Sequence, residues 1–135
     1  MKEIHTLIVD NDQVNSFVLK NIITRNYATA KVTLAANGAE ALENLKQLEQ
    51  HAHSFPDIIL LDIYMPIMDG FEFLEQYSNL FAHKESLIFT MSNSLIKEDQ
   101  QRANGFSVVK GFITKPLIYN NIQFIIESIP DRNPS

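Results

Sequence analysis

The sequence predicts an α/β fold, a doubly wound parallel sheet of five strands with five helices. The first observation is that five short apolar runs alternate with segments of helical period, which is typical of a parallel α/β sheet. The second is that two runs, Ile58–Leu61 and Leu87–Met91, show almost no polar alternation, as expected for strands buried on both faces. The third is the length, because 135 residues fit one domain with a single core.

Each apolar run is rich in β-branched or aromatic residues and predicts a strand. The runs are Ile4–Val9, Ala30–Ala35, Asp57–Leu61, Ser86–Met91 and Gly111–Thr114. In a doubly wound sheet, ligands bind outside the carboxyl ends of the strands at the topological switch point. The residues that end or follow the strands are therefore the first candidates for a functional site.

Three of the intervening segments carry apolar stripes with helical spacing, which we expect to be buried helix faces. The stripes are Val14, Phe17, Val18 and Ile22; Leu42, Leu45 and Leu48; and Ile122, Ile125, Ile126 and Ile129. Asn37 followed by Glu40, and Asp69 followed by Glu72, have the pattern of a helix N-cap with an acidic third residue. Helices are therefore expected to begin directly after Asn37 and Asp69.

The segment from Leu95 to Ala103 differs from the other helical segments because six polar residues follow one another in it. We expect a weakly anchored helix there, with Leu95 and Ile96 as its buried contacts. Residues 130–135 contain two Pro and no large apolar side chain, so we expect a frayed tail. The predicted organisation is one domain over residues 1–129, a short tail over 130–135 and no output domain.

Composition excludes several classes of function. The chain has no Cys, and its four His, which we expect at the surface, lack zinc-site spacing. The net charge is −5 and the basic residues are scattered, so nucleic acid is not an expected partner. No apolar run approaches the ~20 residues that span a bilayer, and the N-terminus lacks a signal-peptide pattern. We therefore expect no membrane association and a cytoplasmic location.

Polar side chains end or follow four of the predicted strands. They are Asp10, Asn11 and Asp12 after the first, Asp62 after the third, Ser92, Asn93 and Ser94 after the fourth, and Lys115 and Pro116 after the fifth. Carboxylate, amide and carbonyl oxygens suit Mg²⁺. An ammonium and a hydroxyl suit a phosphoryl group, and one carboxylate can act as the nucleophile. The set predicts phosphoryl transfer.

Four stretches resemble a known family in order along residues 4–128: LIVDND, PDIILLDIYMPIMDGFEF, IFTMSNS and FITKP. The family is the receiver domain of two-component response regulators, the CheY-like superfamily. The element from Asp62 to Gly70 is highly specific when it is combined with the downstream Lys-Pro. The resemblance implies a flavodoxin-like receiver fold with the strand order 2-1-3-4-5.

The resemblance also implies roles for the residues at the strand ends. Asp62 matches the phosphoacceptor, which takes its phosphoryl group from a sensor histidine kinase or a histidine phosphotransfer protein. Asp10, Asn11, Asp62 and the backbone carbonyl of Tyr64 match the ligands of Mg²⁺. Lys115 matches the lysine that contacts the phosphoryl oxygens, and the peptide bond that follows it is typically cis in this family.

A two-state switch is part of the resemblance. Ser92 matches the switch hydroxyl that moves to the phosphoryl group, and Phe112 matches the switch aromatic that turns inward behind it. An unknown downstream protein would bind the face formed by the fourth helix, the fifth strand and the fifth helix. The protein is expected to be no enzyme beyond catalysing its own phosphorylation and dephosphorylation.

Two positions bear on how such a site would work. Asn11 stands where the family usually has Asp, and the missing negative charge should weaken Mg²⁺ binding, unless Asp12 compensates instead of starting the first helix. Tyr64 and Ser94 lie two residues beyond Asp62 and Ser92, at positions where the resemblance implies side chains that flank the phosphoryl group. The bulky Tyr64 could shield the group from water.

Three alternatives stay open. Asn11 is compatible with a pseudo-receiver scaffold that works without phosphorylation. Asp10-x-Asp12 resembles the first motif of haloacid-dehalogenase-type phosphohydrolases, although only Glu127 and Asp131 supply acidic groups after Lys115. A flavin-mononucleotide binder shares the topology, but its phosphate cradle needs hydroxyls, Gly and backbone donors where this chain has acidic residues.

Overall fold

Strands and helices alternate along the part of the chain that the computed structural model describes, residues 3–51, 55–93 and 96–130. The strands are β1 (Ile4–Val9), β2 (Ala30–Ala35), β3 (Ile58–Asp62), β4 (Leu87–Ser92) and β5 (Val109–Thr114). The helices are α1 (Gln13–Asn26), α2 (Gly38–Glu49), α3 (Gly70–Phe81), α4 (Lys97–Asn104) and α5 (Tyr119–Glu127).

The strands form one parallel sheet in the order β2-β1-β3-β4-β5. The predicted doubly wound sheet and its strand order are thus confirmed. The register aligns the carboxyl ends of neighbouring strands, since Val9 of β1 lies opposite both Ala35 and Leu61. The chain changes its direction of winding between β1 and β3, so the predicted switch point lies beyond Val9 and Leu61.

The boundaries of three strands differ by one or two residues from the prediction. β3 and β4 begin and end one residue later than predicted. Directly before β3, the Asp57 carboxylate accepts the backbone N–H of His5 at 2.9 Å. β5 begins earlier, at Val109, and a register irregularity accompanies its pairing with Ile88 and Phe89 of β4. Gly111 lies inside β5, where an added Cβ would be 3.3 Å from the Phe89 ring.

Both faces of the sheet are covered, and alternate strand residues supply the two layers of core. Leu7 and Ile59 belong to the cluster that contains buried side chains of α2 and α3. Ile8 and Leu60 belong to the cluster on the other face, which contains buried side chains of α1 and α5. All five residues of β3 are buried, which explains its continuous apolar sequence.

Helix α1 is buried along a different stripe from the predicted one. Three members of the predicted stripe are exposed, Val14 (73%), Phe17 (63%) and Val18 (46%), and only the fourth, Ile22, packs against the core. The buried residues of the helix are Ser16, Leu19 and Ile23. The prediction was wrong because large apolar residues lie on both sides of α1, and counting them does not show which side meets the sheet.

The predicted faces and starts of the other long helices are confirmed. Leu42 and Leu45 of α2 are buried, as are Ile122 and Ile125 of α5. The Asn37 side chain accepts the N–H of Glu40 at the start of α2. Asp69 and Glu72 form a reciprocal capping box at the start of α3.

Helix α4 is anchored by one buried residue, Ala103. Ala103 packs in a small cluster with Ile63 and Phe71. The expectation of a weakly anchored helix is confirmed, but its predicted contact Ile96 is 54% exposed. Leu95, the other predicted contact, lies outside the described residues.

The histidines do not all lie at the surface. His5 is buried in β1, and its ring nitrogen bonds the Thr33 hydroxyl at 2.8 Å, so the prediction was wrong for this residue. His51 and His83 are exposed, and His53 lies outside the described residues. Within the described ranges, none of the helices has the length and apolar character needed to cross a membrane.

Candidate functional site

Two buried carboxylates and one ammonium meet beyond the carboxyl ends of β1, β3 and β5. Asp10 is 3% exposed and Asp62 is 6% exposed. The Lys115 Nζ lies 2.7 Å from Oδ2 of Asp10 and 3.4 Å from Oδ2 of Asp62. The structure therefore brings together three of the residues that the sequence singled out, although they are far apart along the chain.

The Asp10 carboxylate is fixed by hydrogen bonds as well as by Lys115. Its Oδ1 accepts the backbone N–H of Asp12 at 2.9 Å, and its Oδ2 accepts the side-chain amide of Asn15 at 2.8 Å. Sequence reasoning missed Asn15, although its position in the first turn of a helix that starts near Asp10 is a usable signal. Together these contacts orient Asp10 toward the cleft.

Asp12 has a structural role at the edge of the site. Its Oδ1 accepts the N–H groups of Val14 and Asn15, each at 3.1 Å, which makes Asp12 the N-cap of α1. The same side chain is exposed. The sequence left open whether Asp12 compensates for Asn11 at the metal site or starts the first helix, and the structure shows that it starts the helix.

The charges of the site are not balanced by protein groups alone. Burial, and then the neighbouring Asp10 carboxylate, raise the pKa of Asp62 to about 6, although the Lys115 ammonium acts in the opposite direction. Two close carboxylates share a single ammonium, and their repulsion favours either a proton or a further cation. This is the electrostatic condition in which a divalent metal binds.

An open polar cleft of about 420 Å³ lies above the carboxylates. Its lining comprises Asn11, Asp12, Asp62, Tyr64, Ser92, Asn93 and Lys115. The Asn11 side chain is exposed to the cleft, and the Tyr64 side chain is 52% exposed. Three of the four residues that the sequence proposed as metal ligands, Asn11, Asp62 and Tyr64, therefore border one space. The fourth, Asp10, is joined to this space through Lys115, whose Nζ lies 2.7 Å from Oδ2 of Asp10.

The oxygen atoms around the cleft fit Mg²⁺ in kind. The carboxylates of Asp10 and Asp62, the side-chain carbonyl of Asn11 and the backbone carbonyl of Tyr64 are all hard oxygen donors. Mg²⁺ is usually held by one or two carboxylates and keeps several waters. Among the described residues no group of three or more His, Cys, Asp or Glu side chains could hold a metal, so a site here depends on neutral oxygens as well.

Ser92 and Phe112 lie on the neighbouring strands β4 and β5. Ser92 ends β4, is buried and lies opposite Thr114. Phe112 is half-buried and packs against the small cluster that contains Ile63 and Ala103. The proposed switch residues therefore connect the cleft to the packing beneath α4.

The start of the loop after β5 is tied to the end of β4. The backbone N–H of Lys115 donates to the carbonyl of Ser92 at 2.9 Å. The Lys115–Pro116 peptide bond is cis, as the resemblance implied. The Lys115 side chain is only 7% exposed, so its ammonium is directed into the cleft.

The loop between β3 and α3 contains two special backbone positions. A Cβ added at Gly70 would lie 2.7 Å from the carbonyl oxygen of Asp62, so only glycine allows α3 to begin this close to the strand end. Ile67 has a φ of 72° and is 82% exposed. A β-branched residue in the left-handed region is strained, and the sequence did not reveal it.

Two contacts of α4 with the β3–α3 region were also missed by sequence reasoning. The Tyr64 hydroxyl donates a hydrogen bond to Oδ2 of Asp99, and this bond is the main cause that raises the pKa of Tyr64. The Arg102 guanidinium lies 4.0 Å from the centroid of the Phe71 ring. Neither pair has a sequence signal, because each depends on where α4 packs. Ser94, the other predicted flanking residue, lies outside the described residues.

Known proteins share this sequence pattern. Chemotaxis protein CheY of Halobacterium salinarum is 29% identical over 110 residues, which cover 82% of each chain. The 3′,5′-cyclic-nucleotide phosphodiesterase regA of Dictyostelium discoideum is 28% identical over 136 residues, which cover 96% of this chain. This chain spans only 16% of that phosphodiesterase.

Solved structures share the fold. A two-component response regulator from Cytophaga hutchinsonii superposes with a TM-score of 0.85 at 25% identity, covering 95% of this chain and 98% of that one. The CheY chain of a CheX-CheY-BeF3-Mg complex from Borrelia burgdorferi gives 0.76 at 25% identity, covering 93% and 88%. The family model of the response regulator receiver domain matches residues 6–127. That match spans the sheet, its helices and every residue of the cleft, and the chain therefore belongs to the response regulator receiver domain family.

Proposed function

We propose that the protein is the phosphoacceptor switch of a two-component phosphorelay. Asp62 takes a phosphoryl group from a phosphohistidine of a sensor histidine kinase or a histidine phosphotransfer protein, and the modified chain then signals by binding a partner. The observation that carries the proposal is the convergence of Asp10, Asp62 and Lys115, with one ammonium within 3.4 Å of both carboxylates.

The site supplies what phosphoryl transfer to a carboxylate requires. A carboxylate oxygen of Asp62 attacks phosphorus, the bond from phosphorus to the donor's imidazole nitrogen breaks, and that nitrogen keeps the electron pair and takes a proton. Lys115 is placed to contact the phosphoryl oxygens as their charge develops. Mg²⁺ held by Asp10, Asn11, Asp62 and the carbonyl of Tyr64 would neutralise charge on the phosphoryl group.

The switch depends on the two residues that link the cleft to α4. A phosphoryl group adds about −1.5 to −2 charges and strong acceptors, which would attract the Ser92 hydroxyl. Phe112 would then rotate, and its packing beneath Ala103 of α4 would change. The face formed by α4, β5 and α5 would bind the downstream protein. Beyond its own phosphorylation and dephosphorylation, the protein would act as no enzyme.

The exposed apolar side chains of α1 support a protein donor. Val14 and Phe17 are 73% and 63% exposed, and they follow Asp12, which lines the cleft. A donor that packs on this surface would lie next to the cleft that contains the phosphoacceptor. Exposing these apolar side chains to water is unfavourable in free energy unless a partner covers them.

Two alternatives are separated by particular residues. Asn11 favours the pseudo-receiver scaffold, because an amide in place of a carboxylate removes one charge from the metal site. The phosphohydrolase hypothesis requires the Asp12 carboxylate to take part in the reaction, but this carboxylate caps α1, so the hypothesis is less well supported. Glu127 and Asp131 are the acidic residues that follow Lys115. Glu127 is exposed on α5, and Asp131 lies outside the described residues.

Intact-mass spectrometry after incubation with acetyl phosphate and Mg²⁺ tests the proposal. We expect the wild type to gain the mass of one phosphoryl group and Asp62→Asn to gain none. Asp12→Asn is the matched control, because it changes an exposed carboxylate of the same cleft and keeps a good N-cap residue; it should still be modified. An unmodified wild type would establish the scaffold reading instead.

A further inference from the structure

Helix α4 has little of its own to hold it in place. It spans eight residues, Lys97–Asn104. Its one buried residue is Ala103. A helix of this length is marginal by itself, so its position depends on its contacts with the rest of the domain.

Those contacts lead to the segment that directly follows Asp62. The Tyr64 hydroxyl donates to the Asp99 carboxylate. Arg102, on the next turn of α4, stacks over the Phe71 ring at 4.0 Å. Ala103 packs against Ile63 and Phe71. Three residues of α4 therefore contact the same segment, Ile63–Phe71.

Tyr64 joins this segment to the cleft itself. Tyr64 lines the cleft together with Asp62 and Lys115. Its hydroxyl donates to the carboxylate of Asp99, which lies on α4. The position of the phenol ring is therefore set jointly by the loop after β3 and by α4.

We propose that Tyr64 and Asp99 form a tether between the phosphoacceptor loop and α4, which makes Asp99 a positioning residue that acts on the site through Tyr64. When the tether is closed, the Tyr64 ring covers part of the approach to Asp62 and α4 is held against the sheet. When it opens, the ring is free and α4 loosens. The inference deepens the proposed function and rests on it where it concerns access to Asp62.

The coupling must work in both directions because it is a thermodynamic linkage. A partner that binds α4 and opens the tether also changes access to the phosphoryl group. A phosphoryl group that displaces Tyr64 also loosens α4. Since α4 lies at the low end of local stability, one hydrogen bond is enough to shift its population measurably.

A purely local role for Asp99 has to be separated from the tether. Asp99 lies in the first turn of α4, where any carboxylate stabilises the helix through its dipole. Glu98 lies in the same turn, is exposed and carries the same charge. Among the described residues, no hydrogen bond joins Glu98 to Tyr64, so Glu98→Gln is the matched control.

Amide hydrogen exchange of the full chain, without metal or phosphodonor, tests the tether directly. We expect Tyr64→Phe and Asp99→Asn each to speed exchange of the α4 amides by about two- to tenfold, the range of one net hydrogen bond. The double variant should exchange no faster than the faster single variant. The α4 amides should exchange more slowly in Glu98→Gln than in Asp99→Asn. Unchanged α4 exchange in Tyr64→Phe, or additive effects in the double variant, would overturn the tether.

The lifetime of the aspartyl phosphate supplies a second readout that a local helix effect would not move. Tyr64→Phe and Asp99→Asn should both shorten the lifetime, Tyr64→Phe at least as much as Asp99→Asn, because asparagine can still accept a weaker hydrogen bond from the Tyr64 hydroxyl. Glu98→Gln should leave the lifetime unchanged. A larger effect in Asp99→Asn than in Tyr64→Phe, or an effect in only Asp99→Asn, would contradict the action of Asp99 through Tyr64. If the wild type accepts no phosphoryl group at all, the proposed function fails, while the exchange experiment still decides whether the tether exists.

Discussion

The Lys115 ammonium pairs more closely with Asp10 than with Asp62. Its Nζ lies 2.7 Å from Oδ2 of Asp10 and 3.4 Å from Oδ2 of Asp62. The lysine therefore neutralises the Asp10 carboxylate more than that of Asp62, the proposed phosphoacceptor. A cation bound at Asp10 would compete with this ion pair and release Lys115 toward the phosphoryl group on Asp62.

Loss of the Lys115 ammonium should slow phosphorylation strongly. Removing one donor from a preorganised anionic site typically costs a factor of about 10²–10³, so we expect a decrease of that order in Lys115→Met. The measurement is the initial rate of phosphoryl incorporation from acetyl phosphate. Lys110→Met is the control, because Lys110 is an exposed lysine on β5, the strand that Lys115 directly follows. Equal rates in both variants would contradict the role of Lys115.

Restoring the missing carboxylate at Asn11 should strengthen Mg²⁺ binding. A unit charge at about 4 Å contributes about 1 kcal/mol even in a water-like medium, so Asn11→Asp should lower the Kd for Mg²⁺ by about fivefold or more. An NMR titration with Mg²⁺ measures this Kd in the wild type and the variant. Asn93→Asp adds the same charge to the same cleft at a position that is not a proposed ligand, and it should have a smaller effect. The reverse order would remove Asn11 from the metal site.

The pH dependence of stability should carry the signature of Asp62. Burial and the Asp10 carboxylate raise the pKa of Asp62 to about 6, whereas an unfolded Asp titrates near pH ~4. Between these values the folded chain binds more protons than the unfolded chain. The contribution of Asp62 to the free energy of unfolding is therefore greatest below pH ~4 and is lost as the pH rises to ~6.

Because asparagine does not titrate, Asp62→Asn should remove the loss of stability that Asp62 causes as the pH rises. In metal-free buffer we expect the variant to be more stable than the wild type at pH 7 by about 2 kcal/mol, with the difference shrinking as the pH falls below ~6. Urea unfolding followed by circular dichroism over that pH range measures it. Asp12→Asn, at an exposed carboxylate, should show no such trend. A difference that does not change between pH 4 and 7 would contradict the raised pKa.

The strained loop residue offers a test of the structure that is independent of phosphorylation. Ile67 has a φ of 72° with its side chain 82% exposed. Ile67→Gly should stabilise the chain by about 1 kcal/mol, because the relieved strain exceeds the extra unfolded-state entropy of glycine. Ile118→Gly, at an exposed residue with a φ of −118°, should give no stabilisation. Loss of stability in Ile67→Gly would show that the backbone there is not strained.

Local sequence patterns predicted the elements of the fold and the residues at the strand ends. Continuous apolar runs marked β3 and β4, and cap residues such as Asn37 and Asp69 marked the starts of helices. The parallel alternation then required Asp10 and Asp62 to share one edge of the sheet. These features were predictable because each depends on neighbouring residues and on a general rule of topology.

Features that depend on packing between distant elements were not predictable in this way. The buried face of α1 follows Leu19 and not Phe17, because the sheet, and not the helix, decides which stripe is covered. The burial of His5 follows from its place in an inner strand and its bond to Thr33. The hydrogen bond from Tyr64 to Asp99 depends on where α4 packs, and the polar sequence of α4 does not predict that position.

The proposed function requires that Asp62 carries the phosphoryl group. To identify the modified residue, the protein is incubated with acetyl phosphate and Mg²⁺, the acyl phosphate is reduced with borohydride, and the reduced residue is located by peptide mass spectrometry. We expect reduction at Asp62 alone, with none when Mg²⁺ is withheld by chelation. Reduction at Asp10 or Asp12, or at no carboxylate of the cleft, would contradict it.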